Sequence, residues 1–262
     1  MASLSEFNGR WALVTGASAG IGVALARELA KHGAKLILTA RRRERLEALA
    51  RELEAGGVET RIVVADLNDP EAPQEIFDAT EHAGVEVDIL INNAGLGQYG
   101  AFLSSDVEQE LSMVRVNCEA MVRLSRLFVP KMVERQRGWV MILASTASFQ
   151  PLPYLATYAA TKVFDRFFAE GLAREVGRFG VKVMALCPGP TESEFFSVAK
   201  SESFMPGGRQ SAEEVAERGI TAMARGQRTI IPYFGGKVTA NLTRVLPVGL
   251  ITHFVEKIAR PK

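Results

Sequence analysis

Cysteine is nearly missing from this chain: Cys118 and Cys187 are its two thiols in 262 residues. They do not make a disulfide framework, and a chain of this size with so few thiols suits a reducing compartment, so the cytoplasm is the expected location. An excess of charge is missing as well. Lysine and arginine total 31 against 30 aspartates and glutamates, so no global field recruits nucleic acid or an anionic membrane, and a small-molecule partner is expected instead. No apolar run approaches the length that spans a bilayer, and residues 1–10 lack a basic stretch followed by an apolar one. Neither a signal peptide nor a transmembrane helix is expected. Internal repeats and low-complexity linkers are also wanting, and 47% hydrophobic residues at this length suit one sizeable core. A single domain over residues 1–262 follows as the expectation.

What the chain does have is alternation. An apolar run at 11–14 stops at Thr15-Gly16 and gives way to Ile21, Leu25 and Leu29 at helical spacing. Further strands are predicted at 36–38, 61–64, 87–91, 139–143 and 181–186. Between them fall helices at about 43–55, in two stretches up to about 134, and at about 155–177. Strands alternating with helices imply an α/β fold, a parallel sheet covered by helices on both faces in three α/β/α layers. Ligands in such sheets sit beyond the carboxyl ends of the strands. The motifs below fall at such ends.

Thr15-Gly16-Ala17-Ser18-Ala19-Gly20-Ile21-Gly22 follows the first strand and opens a helix. Glycines there let the backbone approach a pyrophosphate, which meets free N–H groups and the positive end of the helix dipole. The spacing is GxxxGxG, one residue longer between its first two glycines than the commoner GxGxxG; the alternative is an ordinary glycine-rich turn. After the second strand stands Ala40-Arg41-Arg42-Arg43, with no carboxylate where a ribose 2′-hydroxyl would want one. Arg41 can offer a bidentate contact to a 2′-phosphate, so NADP(H) is expected over NAD(H). The competing reading makes these arginines the solvated start of a helix, although a cation run at a helix N-terminus opposes the dipole.

Tyr158 and Lys162 are four residues apart on a predicted helix and share one face. A nearby cation makes a phenol usable as an acid or base by lowering its pKa, yet this spacing also arises by chance on helix surfaces. The motifs taken together, Thr15-Gly16 with Gly20-Ile21-Gly22, Asn92-Asn93-Ala94-Gly95, Asn117, Ser145, Tyr158 with Lys162, and Pro188-Gly189, resemble the short-chain dehydrogenases/reductases in order and separation over about residues 8–192. The resemblance implies a compact Rossmann-like, doubly wound sheet of about seven parallel strands.

It further implies that Tyr158 gives a proton to a substrate carbonyl oxygen, that Lys162 lowers the pKa of Tyr158 and holds the nicotinamide ribose, and that Ser145 hydrogen-bonds the same substrate oxygen. Asn117 would hold a water that relays protons from Lys162. Gly16, Ser18, Ala19, Gly20, Ile21 and Gly22 would cradle the dinucleotide, Asp66 would contact the adenine, and Asn92, Asn93 and Gly95 would form the turn beside it. Asn-Asn-Ala-Gly also reads as a plain strand-ending turn. Pro188, Gly189, Thr191 and Ser193 would border the nicotinamide, although Thr191 and Ser193 stand where the family often has an aliphatic residue and a threonine. No metal ion enters this scheme.

Residues of about 190–210 are expected to form a substrate loop, and Phe149, Leu152, Pro153, Leu155, Phe195, Phe196, Phe204 and Met205 suggest an apolar pocket or loop packing. From about 235 to 260 an amphipathic segment, interrupted by Pro247 and Gly249, would cover the loop, enter a homodimer or homotetramer interface, or rest on a membrane surface, with a core or subunit-interface role preferred. The expected function is that of an NADP(H)-dependent carbonyl reductase or alcohol dehydrogenase on an apolar ketone, a 3-oxoacyl thioester among them. The alternatives are a non-catalytic NADP-sensing module and an isomerase that uses the cofactor transiently.

Overall fold

In the computed structural model, residues 4–192, 194 and 210–261 are described. Their strands are β1 Trp11–Thr15, β2 Lys35–Ala40, β3 Thr60–Val64, β4 Val87–Asn92, β5 Gly138–Leu143, β6 Val181–Leu186 and β7 Thr229–Ile230. All pair in parallel in one sheet, in the order β3-β2-β1-β4-β5-β6-β7. Strands buried on both faces read as continuous apolar runs. All six residues of β4 are buried.

The α-helices are α1 Gly20–Lys31, α2 Arg43–Ala55, α3 Ala72–Asp78, α4 Val107–Val114, α5 Ala120–Glu134, α6 Ala156–Val176, α7 Ala212–Ala224, α8 Phe234–Val245 and α9 Val248–Ala259. Side-chain alternation along the strands divides the interior into two layers. Val14, Leu38, Ile91 and Met141 face α1, α2 and α7, which contribute Leu25, Leu46 and Val215. Leu13, Ile37, Leu90 and Val140 face α3, α5 and α6, through Ile76, Phe128 and Ala169. This is the predicted three-layer α/β/α arrangement.

Several elements lie where the sequence offers little period. The edge strand β7 has two residues. Helix α7 is capped by Ser211, whose hydroxyl accepts a hydrogen bond from the Glu214 backbone N–H at 3.1 Å, a capping arrangement visible in the sequence as Ser-Ala-Glu-Glu. The expected C-terminal amphipathic stretch is two helices parted at Leu246-Pro247, because Pro247 has no N–H to continue the first and suits the start of the second. One flank of this pair faces the body of the protein, where the Tyr99 hydroxyl donates to the Ala259 carbonyl at 2.8 Å. The other exposes Phe234, Val245, Phe254 and Ile258. Among the described residues, no helix is long and apolar enough to cross a membrane.

Strand order reverses between β1 and β4, the position at which crossover helices diverge to opposite faces and leave a crevice. Helices α4 and α5 are joined there by one π-helical turn, Arg115–Glu119.

Candidate active site

A cavity of about 580 Å³ lies beyond the carboxyl ends of β1, β2, β4, β5 and β6. Its floor at the β1 end is the glycine-rich loop. Gly16 and Gly20 hold φ of +67° and +55°, left-handed values that glycine adopts without strain. At Gly22 the requirement is space: a Cβ would stand 2.3 Å from the Gly16 carbonyl oxygen and 2.6 Å from Asn93 Nδ2. Helix α1 starts at Gly20 with no side chain capping it, so its first N–H groups are left for an anion at the positive end of the dipole. Ser18, Ala19 and Ile21 line the same wall.

Thr15 ties this loop to β4. Its hydroxyl donates to the Ile91 carbonyl at 3.2 Å and accepts from the N–H groups of Asn93 and Ala94, each at 2.9 Å. Asn93 Nδ2 donates to the Thr15 carbonyl at 2.7 Å, so its amide holds the turn together while the residue lines the cavity. Asn92 corrects the expectation. It ends β4 pointing to the opposite face, as alternation requires, where its Nδ2 donates to Ser125 Oγ at 3.3 Å. The cavity wall is built from Asn93, Ala94 and Gly95.

At the end of β2, Arg41 is exposed on the rim. Its neighbour Arg42, which sequence reading passed over, is the better placed: its guanidinium donates to Ser18 Oγ at 3.0 Å and to a Glu194 carboxylate oxygen at 2.8 Å. Arg45 bonds the second Glu194 oxygen, and the two cations hold that carboxyl below its ordinary pKa. Asp66 lines the cavity beyond β3, with one oxygen accepting from the Asn68 N–H at 3.0 Å.

The expected chemical groups converge at the other end. Ser145 follows β5, and its hydroxyl accepts from the Ala147 N–H at 3.1 Å and shares a hydrogen bond with Tyr158. Tyr158 and Lys162 rise from the first turns of α6, with the Lys162 ammonium 6.0 Å from the centre of the Tyr158 ring. Lys162 Nζ donates to the Leu143 carbonyl at 2.7 Å and to Asp165 Oδ2 at 2.9 Å. Asn117, on the π turn, donates to the Leu96 carbonyl and to Thr161 Oγ1, both at 2.9 Å, and accepts from the Leu96 N–H at 2.7 Å. A Cβ at Gly95 would stand 3.3 Å from Asn117 Oδ1 and 3.5 Å from Lys162 Nζ, so the bare glycine keeps open the space that Asn117 and Lys162 share.

One electrostatic expectation is revised. Burial pushes the Tyr158 phenol up, while Lys162 and the Ser145 hydrogen bond pull it down, and burial wins, leaving it above its ordinary value. Lys162 acts in the expected direction without dominating. Burial disfavours its own charge too, yet Asp165 and Tyr158 outweigh that and hold the ammonium above its usual range.

Pro188, Gly189 and Thr191 line the nicotinamide end, where Pro188 accepts from the Thr146 N–H at 2.9 Å and Thr191 donates to the Gly189 carbonyl at 2.9 Å. Ser193 lies outside the described residues, as do Phe195, Phe196, Phe204 and Met205. Leu152 and Leu155 line the cavity as expected, whereas Phe149 turns toward the interior and packs beneath the Arg166 guanidinium, 4.3 Å from its ring centre. Pro153 is not part of the wall. The wall also includes two residues that sequence reading missed. Tyr233 covers Gly189, where a Cβ would fall 2.3 Å from Tyr233 Cε1, and Thr239 on α8 closes the same side. No local motif marks either, because both arrive by tertiary packing.

The residues fit a dinucleotide: a loop shaped by glycines, an uncapped helix start, cations beyond β2, and bare backbone at Gly95. A family model described as short chain dehydrogenase matches residues 10–203. A very-long-chain 3-oxoacyl-CoA reductase from Anas platyrhynchos is 34% identical over 206 residues, 76% of this chain, and the chain spans 65% of that relative's length. Among solved structures, a short-chain dehydrogenase from Sphingobium yanoikuyae in complex with NADPH superposes with a TM-score of 0.82 at 29% identity, covering 91% of this chain and 96% of that one. A short chain dehydrogenase/reductase from Burkholderia phymatum in complex with NAD gives 0.83 at 25% identity, covering 90% and 93%. With the glycine loop, the seven-stranded sheet and the Ser145, Tyr158 and Lys162 cluster on one cavity, the chain belongs to the short-chain dehydrogenase family of oxidoreductases.

Proposed function

We propose that this protein is an NADP(H)-dependent carbonyl reductase or alcohol dehydrogenase acting on an apolar ketone or secondary alcohol, a 3-oxoacyl thioester among the candidates. The observation that carries the reading is the convergence of Ser145, Tyr158 and Lys162 at the far end of the cavity that begins at the phosphate loop. A bound nicotinamide supplies the hydride. The Tyr158 phenol gives its proton to the substrate oxygen, and the Ser145 hydroxyl donates to the same oxygen as charge develops there. Lys162 passes a proton back to the phenol and would itself be recharged from solvent through a water held at Asn117. The apolar character of the substrate is supported by Leu96, Val116, Leu152 and Leu155 on the wall, and the similarity to a 3-oxoacyl-CoA reductase points the same way.

The preference for NADP(H) rests on Arg41, Arg42 and Arg45. Two of these guanidinium groups already converge on the paired oxygens of Glu194, an arrangement that also suits a 2′-phosphate. Replacing Arg42 by alanine is expected to weaken NADPH binding roughly 10- to 100-fold, the worth of a hydrogen bond to a charged group, with NADH binding changed far less. Arg41→Ala should show the same bias at smaller size. Fluorescence titration with both cofactors checks this, and equal losses for the two would remove the assignment.

A panel of ketones, aldehydes and 3-oxoacyl thioesters, assayed with both cofactors at 340 nm, tests the reaction itself. NADPH consumption with at least one apolar ketone is expected. Binding of NADPH without turnover on the whole panel would favour a sensing module, and conversion of substrate without net NADPH change would favour an isomerase. We also propose a homodimer or homotetramer. The exposed Phe164 and Phe167 on α6 support a self-association face.

A further inference from the structure

Beneath Lys162 lies a buried carboxylate that the chemistry above does not use. Asp165 is 1% exposed and Lys162 4%. An ionised carboxylate is held at such a place only when a partner offsets its charge, and that partner is the Lys162 ammonium at 2.9 Å. The second oxygen, Oδ1, is buried with no hydrogen-bond partner among the described residues, and burial outweighs the pull of Lys162, holding the carboxyl above its ordinary value. An ammonium has three N–H donors. One goes to Asp165 and one to the Leu143 carbonyl at the end of β5, which leaves one for the cavity and fixes its direction.

The surroundings supply little else to balance these charges. From the π turn comes Cys118, a thiol that burial pushes up to about 12 and so keeps neutral. From the end of β6 comes Cys187, likewise neutral, its thiol raised by burial to about 12. On α6 itself stand Tyr158 and Arg166, the latter directed to Glu170 at 3.6 Å and to the rings of Phe149 and Phe167. Seen from Tyr158, Lys162 therefore forms part of a near-neutral pair.

We propose that Asp165 is a positioning residue: it aims Lys162 at the cavity and offsets its charge, so that Tyr158 stays a phenol, ready to give a proton, well beyond neutral pH. This deepens the reductase reading and rests on Tyr158 being its acid. It favours the reductive direction, since oxidation of an alcohol requires the tyrosinate.

The test reads Tyr158 directly. The chain has four tyrosines, so the tyrosinate absorbance titration of the wild type minus that of Tyr158→Phe isolates one phenol. With Asp165→Asn the midpoint of that difference titration is expected to fall by about one pH unit, because the lysine charge is no longer offset. Asp165→Ser, which leaves room for a water on Lys162, serves where the amide variant folds poorly, as judged by circular dichroism. An unmoved midpoint in the folded variant overturns the proposal. That titration needs no substrate, so it stands apart from any failure of the reductase reading in the panel assay. Where a substrate is found, the alkaline fall of reductive kcat/KM should move down with the midpoint; a lower rate on an unmoved pH profile would make Asp165 merely structural.

Discussion

Tyr158→Phe is expected to lower turnover by roughly 10²- to 10⁴-fold, the range for a positioned general acid, while the NADPH dissociation constant stays within about twofold. The ring packs with Ala159, Leu152 and Leu155, and phenylalanine preserves that contact. What the variant removes is the hydroxyl that shares a hydrogen bond with Ser145 and lies in the field of Lys162. Ser145 retains the Ala147 N–H, so the far end of β5 has no reason to move. Steady-state NADPH oxidation together with fluorescence titration of the cofactor separates the two quantities. Equal losses in turnover and affinity would make Tyr158 a packing residue and would remove the acid from the proposed reaction.

Gly22→Ala should have the second large effect, by a different route. The added methyl would sit 2.3 Å from the Gly16 carbonyl and 2.6 Å from Asn93 Nδ2, and neither can retreat. Gly16 is fixed by its left-handed backbone, and Asn93 by its hydrogen bond to Thr15. Overpacking of this kind costs about 1–3 kcal/mol, which for a chain of this size lowers Tm by roughly 2–12 °C. Cofactor affinity falls with it, because the displaced carbonyl and amide form the floor of the phosphate loop. Gly171→Ala on α6 is the control: a Cβ there meets nothing within 4 Å, and alanine in a helix interior is expected to raise Tm. If Gly22→Ala melts like the wild type and binds NADPH as well, the close approach of α1 to β4 does not govern the loop.

The contrast between these two glycines shows what the sequence could reveal. Strands β1, β2, β4, β5 and β6 were legible because a parallel strand covered on both faces is a run of apolar residues, the edge strand β3 because Ile62, Val63 and Val64 still mark it, and the phosphate loop because its glycines follow an apolar run directly. Ser145, Tyr158 and Lys162 were legible as members of a spaced set. Arg42 was not separated from Arg41, since adjacent arginines after a strand look alike until the helix start turns one toward Ser18. Asp165 reads in the sequence as an ordinary i, i+3 partner of a lysine on a helix surface; its burial comes from the packing of α6 on the sheet. Tyr233 and Thr239 reach the cavity from distant segments, and nothing local announces them.

The π turn at Arg115–Glu119 carries one more implication. An α-helix advances about 100° per residue, and a π turn takes up an extra residue without advancing the axis by a full step. The stretch from Val107 to Glu134 is thus a single rod with a phase slip in the middle, at the very place where Asn117 must face Lys162. Removing one residue there would let the rod close into an uninterrupted helix, which is the more comfortable backbone. It would also swing Asn117 away from the cavity and rotate the apolar stripe of α5 off the sheet. Part of the active site is therefore encoded as chain length: no substitution elsewhere on that rod can replace the inserted step.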